Sequence, residues 1–460
     1  MSAQGLQQAQ DKMVAAGVNP QAIEVFSHYY HQLEEGVSGV ISEDSIDPLE
    51  DPDLLSDVTI SDEEARSALA ATVIIKLNGG LGTSMGLDRA KSLLTVRDGK
   101  SFLDLIVDQV RAARASSGAT LPLVFMNSFR TREDTLAALA GYDDLAVEGL
   151  DLDFLQSQEP RLRADDLTPV AWPADPTLEW CPPGHGDLYP ALEASGLLDR
   201  LLALGYRYAS VSNSDNLGAA PDATIAGWFA ASGAPYAAEI CRRTAADRKG
   251  GHLAVRKADR QLILRDTAQT AKEEMHYFTD EHRHPYFHTN NLWFDLQVLS
   301  RTLKERGSVL GLPLIKNEKT VDPADPTSTP VVQIECAMGA AVEVFDGATA
   351  IGVGRERFLP VKTTNDLLLL RSDVYEVDDA GHLVRVTDPA PLVDLAGDHY
   401  KTISAFDARF PAGAPSLRRA SGLAVEGDWT FEADVTVVGA GRLPDEGGPR
   451  TVPAGTVLQG

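Results

Sequence analysis

Cysteine is scarce in this chain: Cys181, Cys241 and Cys336 are the only three in 460 residues. They lie far apart, they are odd in number, and no CxxC or Cys/His metal spacing accompanies them. A disulfide framework does not fit, and free thiols in a reducing cytosol are expected. Long hydrophobic runs are missing as well. No apolar stretch approaches the ~18 residues of a membrane span, and the opening MSAQGLQQAQDKMV lacks the basic-then-apolar order of a secretory leader. Positive charge is in short supply: 41 Lys and Arg stand against 67 Asp and Glu, a formal net charge of −26. A field of that sign repels nucleic acid and anionic membranes, so neither is expected as a partner. An anionic substrate must then be met by positive charge gathered locally, which turns attention to lysines beside loops.

What the chain does have is length and apolar content. Its 460 residues fit two or three domains, and 43% hydrophobic residues suffice for a substantial core. One stretch organises it, Ala71–Val96, ATVIIKLNGGLGTSMGLDRAKSLLTV. The run Val73–Leu77 reads as a buried strand, and a glycine-rich turn follows from Asn78 to Gly86. Lys91 stands five residues beyond Gly86, ahead of a second apolar run. Glycines let several backbone N–H groups approach one anion, and a lysine just past the loop adds the charge that the backbone lacks. The pattern is not a P-loop, because Leu87 follows Gly86 where Lys is required. It is not the dinucleotide fingerprint either: counting from Gly80, the third glycine falls one residue late. A nucleoside triphosphate site is the functional reading; a strand-to-helix turn without ligand is the structural one.

Residues 2–34 read as helices, with Ile23, Phe26, Tyr30 and Leu33 at helical spacing and Asn19-Pro20 as a start signal. Residues 36–62 are polar and acidic, yet Ile41, Ile46, Leu49, Leu54 and Leu55 suggest an ordered surface arm rather than a free linker. From Ala71 onward strands alternate with helices: strands at 73–77, 121–127, 151–154 and 208–212, helices at 102–115, 131–140 and 191–204. That alternation predicts a mostly parallel sheet whose carboxyl ends carry the ligand site. The text turns β-rich from Tyr236. His276, His282, His284 and His288 cluster, but Pro285 interrupts any helical pairing of His284 with His288, so a solvated loop is expected rather than zinc. In the tail, β-branched pairs between Gly, Asp and Ala from Ala424 to Gly439, and again from Thr451 to Val457, suggest coils of a parallel β-helix over a small antiparallel cap.

Four further texts complete the inventory. Pro182-Pro183-Gly184-His185-Gly186-Asp187 is a rigid loop with glycines around a histidine. Asn213-Ser214-Asp215-Asn216 ends a predicted strand, where a carboxylate suits Mg²⁺ bridging phosphates and where Asp and Asn are also ordinary turn residues. Phe287-His288-Thr289-Asn290-Asn291-Leu292-Trp293 and Phe358-Leu359-Pro360-Val361-Lys362 read alone as a strand and a loop.

Together these texts resemble the eukaryotic-type UTP–glucose-1-phosphate uridylyltransferases. The glycine loop matches that family's L-N-G-G-L-G-T-S-M-G, and Ser84-Met85-Gly86 departs from the Arg-Leu-Gly of the related N-acetylhexosamine enzymes. P-P-G-H-G-D, N-x-D-N-L-G and F-L-P-V-K with D-L-L match as they stand, Phe154-Leu155-Gln156 and Lys249-Gly250-Gly251 resemble F-x-Q and K-G-G, and Gln333-Ile334-Glu335 resembles Q-L-E. Two departures stand out: Ala90 replaces a proline before Lys91, and His288 replaces the first asparagine of F-N-T-N-N-L-W. The matches cover nearly the whole chain in consistent order.

The resemblance implies a Rossmann-like, GT-A-type α/β nucleotidyltransferase centre with a mixed sheet over 71–385. A helical segment and arm precede it over 1–70, and a parallel β-helix domain follows over 386–460. It implies that UTP and glucose 1-phosphate give UDP-glucose and pyrophosphate with Mg²⁺ as cofactor. Leu77, Gly79, Gly80, Gly82, Gln156 and Gly184 would hold the nucleotide. His185, Gly186, Asn213, Gly251, Asn290 and Glu335 would hold the sugar phosphate. Asp215 would bind the metal, and Lys91 and Lys362 would be the catalytic charges. Another hexose 1-phosphate, a non-catalytic nucleotide-sugar regulator, and a dehydrogenase remain as alternatives.

Overall fold

The computed structural model describes residues 3–37, 39–244, 247 and 250–460. Eight strands form the path of its largest sheet: β1 Asp53–Leu54, β2 Thr72–Asn78, β3 Leu123–Asn127, β4 Asp153–Leu155, β5 Tyr208–Asn213, β6 Tyr236–Arg242, β7 Tyr286–Asp295 and β8 Thr349–Val353. Their order across the sheet is β1-β8-β6-β7-β5-β2-β3-β4. β2 lies inside, parallel to β5 and β3, which is why its text is a continuous apolar run rather than an alternating one. Ile74 points into the core layer with Phe125 and Trp293, while Val73 and Ile75 point into the other with Val124 and Phe294. The alternation expected from sequence holds except at β7, which runs antiparallel to both β5 and β6 and makes the sheet mixed.

The helix Phe102–Ser117 covers the first face. Ser101 and Asp104 form a reciprocal capping box at its start, and Gly118 at φ 73° ends it. The N-terminal helices Ala3–Ala15 and Pro20–Glu34 cover the second face through Phe26, Tyr30 and Leu33. The acidic arm is ordered: Ile46–Pro48 pairs with His252–Arg256, and β1 adds to the sheet edge beside β8. Two expectations need correction. The stretch 191–204 is not one helix but two, Leu188–Ala194 and Leu197–Ala203, because Gly196 between them sits at φ +71°. The histidine-rich segment is not a solvated loop. Only His276 and His282 are exposed. His284 is buried, stacked on His252 at 3.8 Å and 3.1 Å from the Glu43 carboxylate, and His288 lies inside β7. Among the described residues no group of three or more His, Cys, Asp or Glu is arranged for a metal, and no helix is long and apolar enough to cross a membrane.

The tail consists of strands stacked in parallel register. Leu392–Leu395, Ser416–Val425, Thr436–Leu443 and Val457–Gln459 form one ladder, and Trp429–Phe431 with Arg450–Val452 forms a second. Its Tyr400, Phe406 and Phe431 share the core layer of the helix Phe102–Ser117.

One buried polar network joins the sheet to the loops at its carboxyl end. Glu239, in the middle of β6, accepts from Arg357 Nη2 at 2.7 Å and Nε at 3.1 Å, from Trp293 Nε1 at 3.0 Å and from Asn291 Nδ2 at 3.1 Å. Burial alone would raise the Glu239 carboxyl; the Arg357 charge and these donors hold it below the usual range. Arg357 Nη1 continues to the Ala220 carbonyl. Lys76 of β2, also fully buried, donates to Ser212 Oγ and the Ala219 carbonyl, and burial lowers its ammonium to about 7. Removing one partner of such a pair leaves a charge with no compensation. Arg357→Met should therefore cost about 3–5 kcal/mol, read as a fall in the urea unfolding midpoint, while the double replacement Glu239→Leu/Arg357→Met recovers much of it. Equal midpoints for wild type and Arg357→Met would contradict this.

Candidate active site

The glycine loop leaves the carboxyl end of β2, where three strand ends are tied together. Asn78 Nδ2 donates to Asn127 Oδ1 at 2.8 Å and to Thr135 Oγ1 at 2.9 Å, and its Oδ1 accepts from Ser214. The Leu77 carbonyl accepts the Ser214 N–H at 3.0 Å, so Leu77 serves this junction through its main chain. Gly82 and Gly86 sit at φ +64° and +72°, the left-handed region that glycine enters without strain. Gly79 lies close to another side chain: a Cβ there would lie 2.7 Å from Gln156 Oε1 and would push that amide aside. Gln156 thus rests against the glycine loop, with its own N–H on the Asn127 carbonyl. Gly80 faces open space, and its carbonyl receives the Lys91 N–H at 3.1 Å, which folds the loop back on itself.

Lys91 reaches across to the end of β5. Its Nζ lies 2.7 Å from Asp215 Oδ2, and it also donates to the carbonyl of Val361. Both side chains are partly open, 16% and 21% exposed. Three texts far apart in sequence therefore meet at one ammonium. Asn216 fixes the junction from behind: Oδ1 accepts the Leu359 N–H at 2.8 Å, and Nδ2 reaches Asn291 Oδ1 and the Arg357 carbonyl. Asp215 Oδ1 accepts no hydrogen bond among the described residues. Asn213 lies beside Leu77 in the β5–β2 register. The Lys362 side chain is exposed and has no partner among the described residues. It opens onto a groove of about 1060 Å³ shared with Gly218, Arg355, Asp366 and Tyr375, which none of Gly79, Gln156, His185 and Asp215 lines. Only its neighbour Val361 touches the lysine–aspartate pair.

The P-P-G-H-G-D loop is held to the end of the strand Pro330–Glu335. The Cys336 N–H donates to the Pro183 carbonyl at 3.0 Å, and the Gly186 N–H to the Cys336 carbonyl at 2.8 Å. Gly184 sits at φ +79° with the Cys336 carbonyl 2.6 Å from where a Cβ would stand. Gly186 packs the same way against Leu312 and Cys336 and is buried; its N–H is engaged within the protein. Glu335 lies against Gly184, its carboxylate 3.7 Å from Lys319 Nζ. His185 Nδ1 accepts the Met338 N–H at 2.9 Å, so the proton of the neutral ring is on Nε2. The residue is open to solvent on one side yet crowded by protein on the others; that crowding lowers its pKa. Asp187, fully buried, accepts the N–H of Ser157, next to Gln156, and burial raises its carboxyl to about 7.

On β7, Asn290 is half-buried at φ +61°. Gly251 accepts the His288 N–H at 2.9 Å and has the Asp266 carboxylate 3.1 Å from a would-be Cβ; Lys249 lies outside the described residues. The sequence singles out neither Glu239 nor Arg357, and it names Asn216 only as part of the strand-end text. The one signal for Glu239 is its place as a lone glutamate inside the apolar run Tyr-Ala-Ala-Glu-Ile-Cys of β6.

Comparison with known proteins bears on this arrangement. The family model described as UTP–glucose-1-phosphate uridylyltransferase matches residues 23–438. The enzyme of that name from Solanum tuberosum is 39% identical over 88% of this chain and 84% of its own length. That of Saccharomyces cerevisiae is 39% identical over 85% and 78%. Among solved structures, a UDP-glucose phosphorylase from Trypanosoma brucei superposes with a TM-score of 0.91 at 41% identity, over 99% of this chain and 98% of that one. A mutant UDP-glucose pyrophosphorylase from Leishmania major in complex with UDP-glucose gives 0.92 at 40%, over 99% and 98%. With the glycine loop, the strand-end aspartate and the distant lysine segment gathered at one point in a fold of this likeness, the chain belongs to the UTP–glucose-1-phosphate uridylyltransferase family.

Proposed function

We propose that the chain is a nucleotidyltransferase that makes UDP-glucose and pyrophosphate from UTP and glucose 1-phosphate. The observation that carries the reading is the contact of Lys91 with both Asp215 and the Val361 carbonyl, which draws three separate motifs of the family to one centre.

A phosphate oxygen of the sugar phosphate attacks the α-phosphorus in line. Its second pKa is near ~6, so it is an anion at neutral pH and needs no general base. The barrier is the meeting of two polyanions and the charge that builds on pyrophosphate, so position and electrostatics supply most of the catalysis. Lys91 serves by exchanging Asp215 for the triphosphate, and Gly79, Gly80 and Gly82 bring backbone N–H groups close to it. Asp215 fits a Mg²⁺ site of one carboxylate, since its Oδ1 is uncommitted and Mg²⁺ takes few protein ligands beside phosphates and water. When bound, Mg²⁺ neutralises phosphate charge. Gln156 and the Gly184 backbone suit the uracil edge. His185 offers an uncharged N–H donor to the sugar phosphate, and Asn290 and Glu335 offer polar groups to the hexose. Lys362 supplies the second positive charge by turning from its groove toward the sugar phosphate. The stacked parallel ladders support reading 386–460 as a β-helix domain beside a catalytic domain over 71–385, and three buried, unpaired thiols fit a cytosolic setting.

The test follows pyrophosphate release from UTP with a panel of hexose 1-phosphates. Glucose 1-phosphate should give the highest kcat/KM, excess EDTA should abolish turnover, and Asp215→Ala should lose nearly all of it while remaining folded. Full activity in EDTA would remove the metal from the mechanism. In the same assay Lys362→Ala should lower kcat by ~10²-fold, a typical loss for one preorganised charge, with the KM for UTP unchanged. A raised KM for UTP with near-normal kcat would instead place Lys362 on the triphosphate.

A further inference from the structure

His288 stands where the family text carries asparagine, inside the strand that presents Asn290. Along β7 the pairing with β6 runs regularly to Leu292, opposite Ala238, and resumes at His288, opposite Ile240. Between them Thr289, Asn290 and Asn291 face Glu239 alone. A bulge of that size breaks the ladder, and the unpaired groups need other partners. Thr289 Oγ1 donates to the Glu239 carbonyl at 2.8 Å, and Asn291 Nδ2 donates to the Glu239 carboxylate at 3.1 Å. Of the freed main-chain donors, the Asn291 N–H donates to Thr289 Oγ1 at 3.2 Å and the Asn290 N–H donates to His288 Nδ1 at 2.9 Å. Asn290 itself is left-handed, φ +61°, a conformation that asparagine tolerates better than most residues but does not prefer.

An acceptor on the side chain of residue i that takes the N–H of residue i+2 is the Asx turn. Asparagine makes it through Oδ1, bonded to Cγ. In histidine Nδ1 is also bonded to Cγ, so it has the same reach along the chain. We propose that His288 is the positioning residue for Asn290, its Nδ1 standing in for an asparagine Oδ1 to hold the left-handed bulge. This rests on the reading that Asn290 contacts the hexose. Because a backbone N–H can only donate, His288 Nδ1 must keep its lone pair and the ring must be neutral. The surroundings agree: the residue is 7% exposed, and burial together with His185 lowers its pKa to about 4. The ring fits because position 339 is glycine, where a Cβ would come within 3.0 Å of Nε2.

The experiment is a double-mutant cycle on steady-state kinetics with glucose 1-phosphate, UTP and Mg²⁺. His288→Ala and His288→Leu should each raise the KM for glucose 1-phosphate about ten-fold, the size expected for one lost buried hydrogen bond, with the KM for UTP unchanged. His288→Asn should stay near wild type. Asn290→Ala should raise the same KM, and His288→Ala/Asn290→Ala should be no worse than Asn290→Ala alone. Circular dichroism checks each fold; if His288→Leu does not fold, His288→Ala carries the comparison. If neither folds, His288→Asn decides, a near-normal KM supporting the inference and a raised one overturning it. A raised KM for Asn290→Ala with none for His288→Ala, or additive losses in the double variant, overturns the positioning role alone. An unchanged KM for Asn290→Ala overturns the hexose assignment, and the inference falls with it.

Discussion

A carboxylate in the middle of a large sheet has to be compensated or neutralised, and the ion pair of Glu239 with Arg357 is how this protein does it. The pair is fully enclosed, with Trp293 and Asn291 completing the hydrogen bonding of the carboxylate. A buried pair is weak evidence for added stability, because desolvation offsets much of the attraction. Its effect here is spatial. Arg357 leads the segment that ends at Val361 and Lys362, Asn291 lies in the bulge that carries Asn290, and Asn216 bonds to both. The pair thus fixes, from behind, the loops whose front faces carry the site.

That arrangement answers the difficulty set by composition. A chain of net charge −26 must accept two polyanions. It keeps few positive charges at the site and holds Lys91 ready against Asp215 and a carbonyl. Apart from Lys91 and Lys362, the donors that the proposed function assigns are uncharged: glycine N–H groups, and an imidazole fixed as its Nε2–H tautomer by the Met338 N–H. Neutral donors bind phosphate oxygens with a smaller desolvation penalty than a lysine in the same place. Under the proposed function, the charge of Lys91 stays screened by Asp215, 2.7 Å away, until substrate replaces that partner.

Much of this is legible in the sequence because local text and fold agree. The run before Asn78 is apolar because β2 is buried on both faces, and the glycines at 82 and 86 adopt the backbone that only glycine adopts freely. The ordered arm was foreshadowed by isoleucines and leucines in otherwise acidic text. Other features arise only from tertiary contact. Gly196 is one glycine in a helical pattern, and nothing local says that the chain turns there. His284 lies in a polar segment, and its burial depends on Glu43 from the distant arm and on stacking against His252. Gly79 and Gly184 look like phosphate-approach glycines, yet their nearest constraints are the Gln156 side chain and the Cys336 backbone. Glu239 and Arg357 fall in different texts and give no periodic signal.

The candidate site supplies charge and position, and beside the glycine loop and Asp215 no nucleophile is free among the described residues; Lys362 opens onto a separate groove. The three cysteines are buried. His185 and His288 each engage the lone-pair nitrogen with a backbone N–H, and Lys91 is paired with Asp215. The uridylyl group should therefore pass straight from pyrophosphate to the sugar phosphate, without a stop on the protein. The stereochemical course at the α-phosphorus tests this most directly, using UTP carrying a single-configuration α-thiophosphate and assigning the UDP-glucose α-thiophosphate by phosphorus NMR. Direct in-line attack predicts inversion at that phosphorus. Retention would mean two successive displacements through a covalent uridylyl-enzyme and would contradict a site that works by charge and position alone.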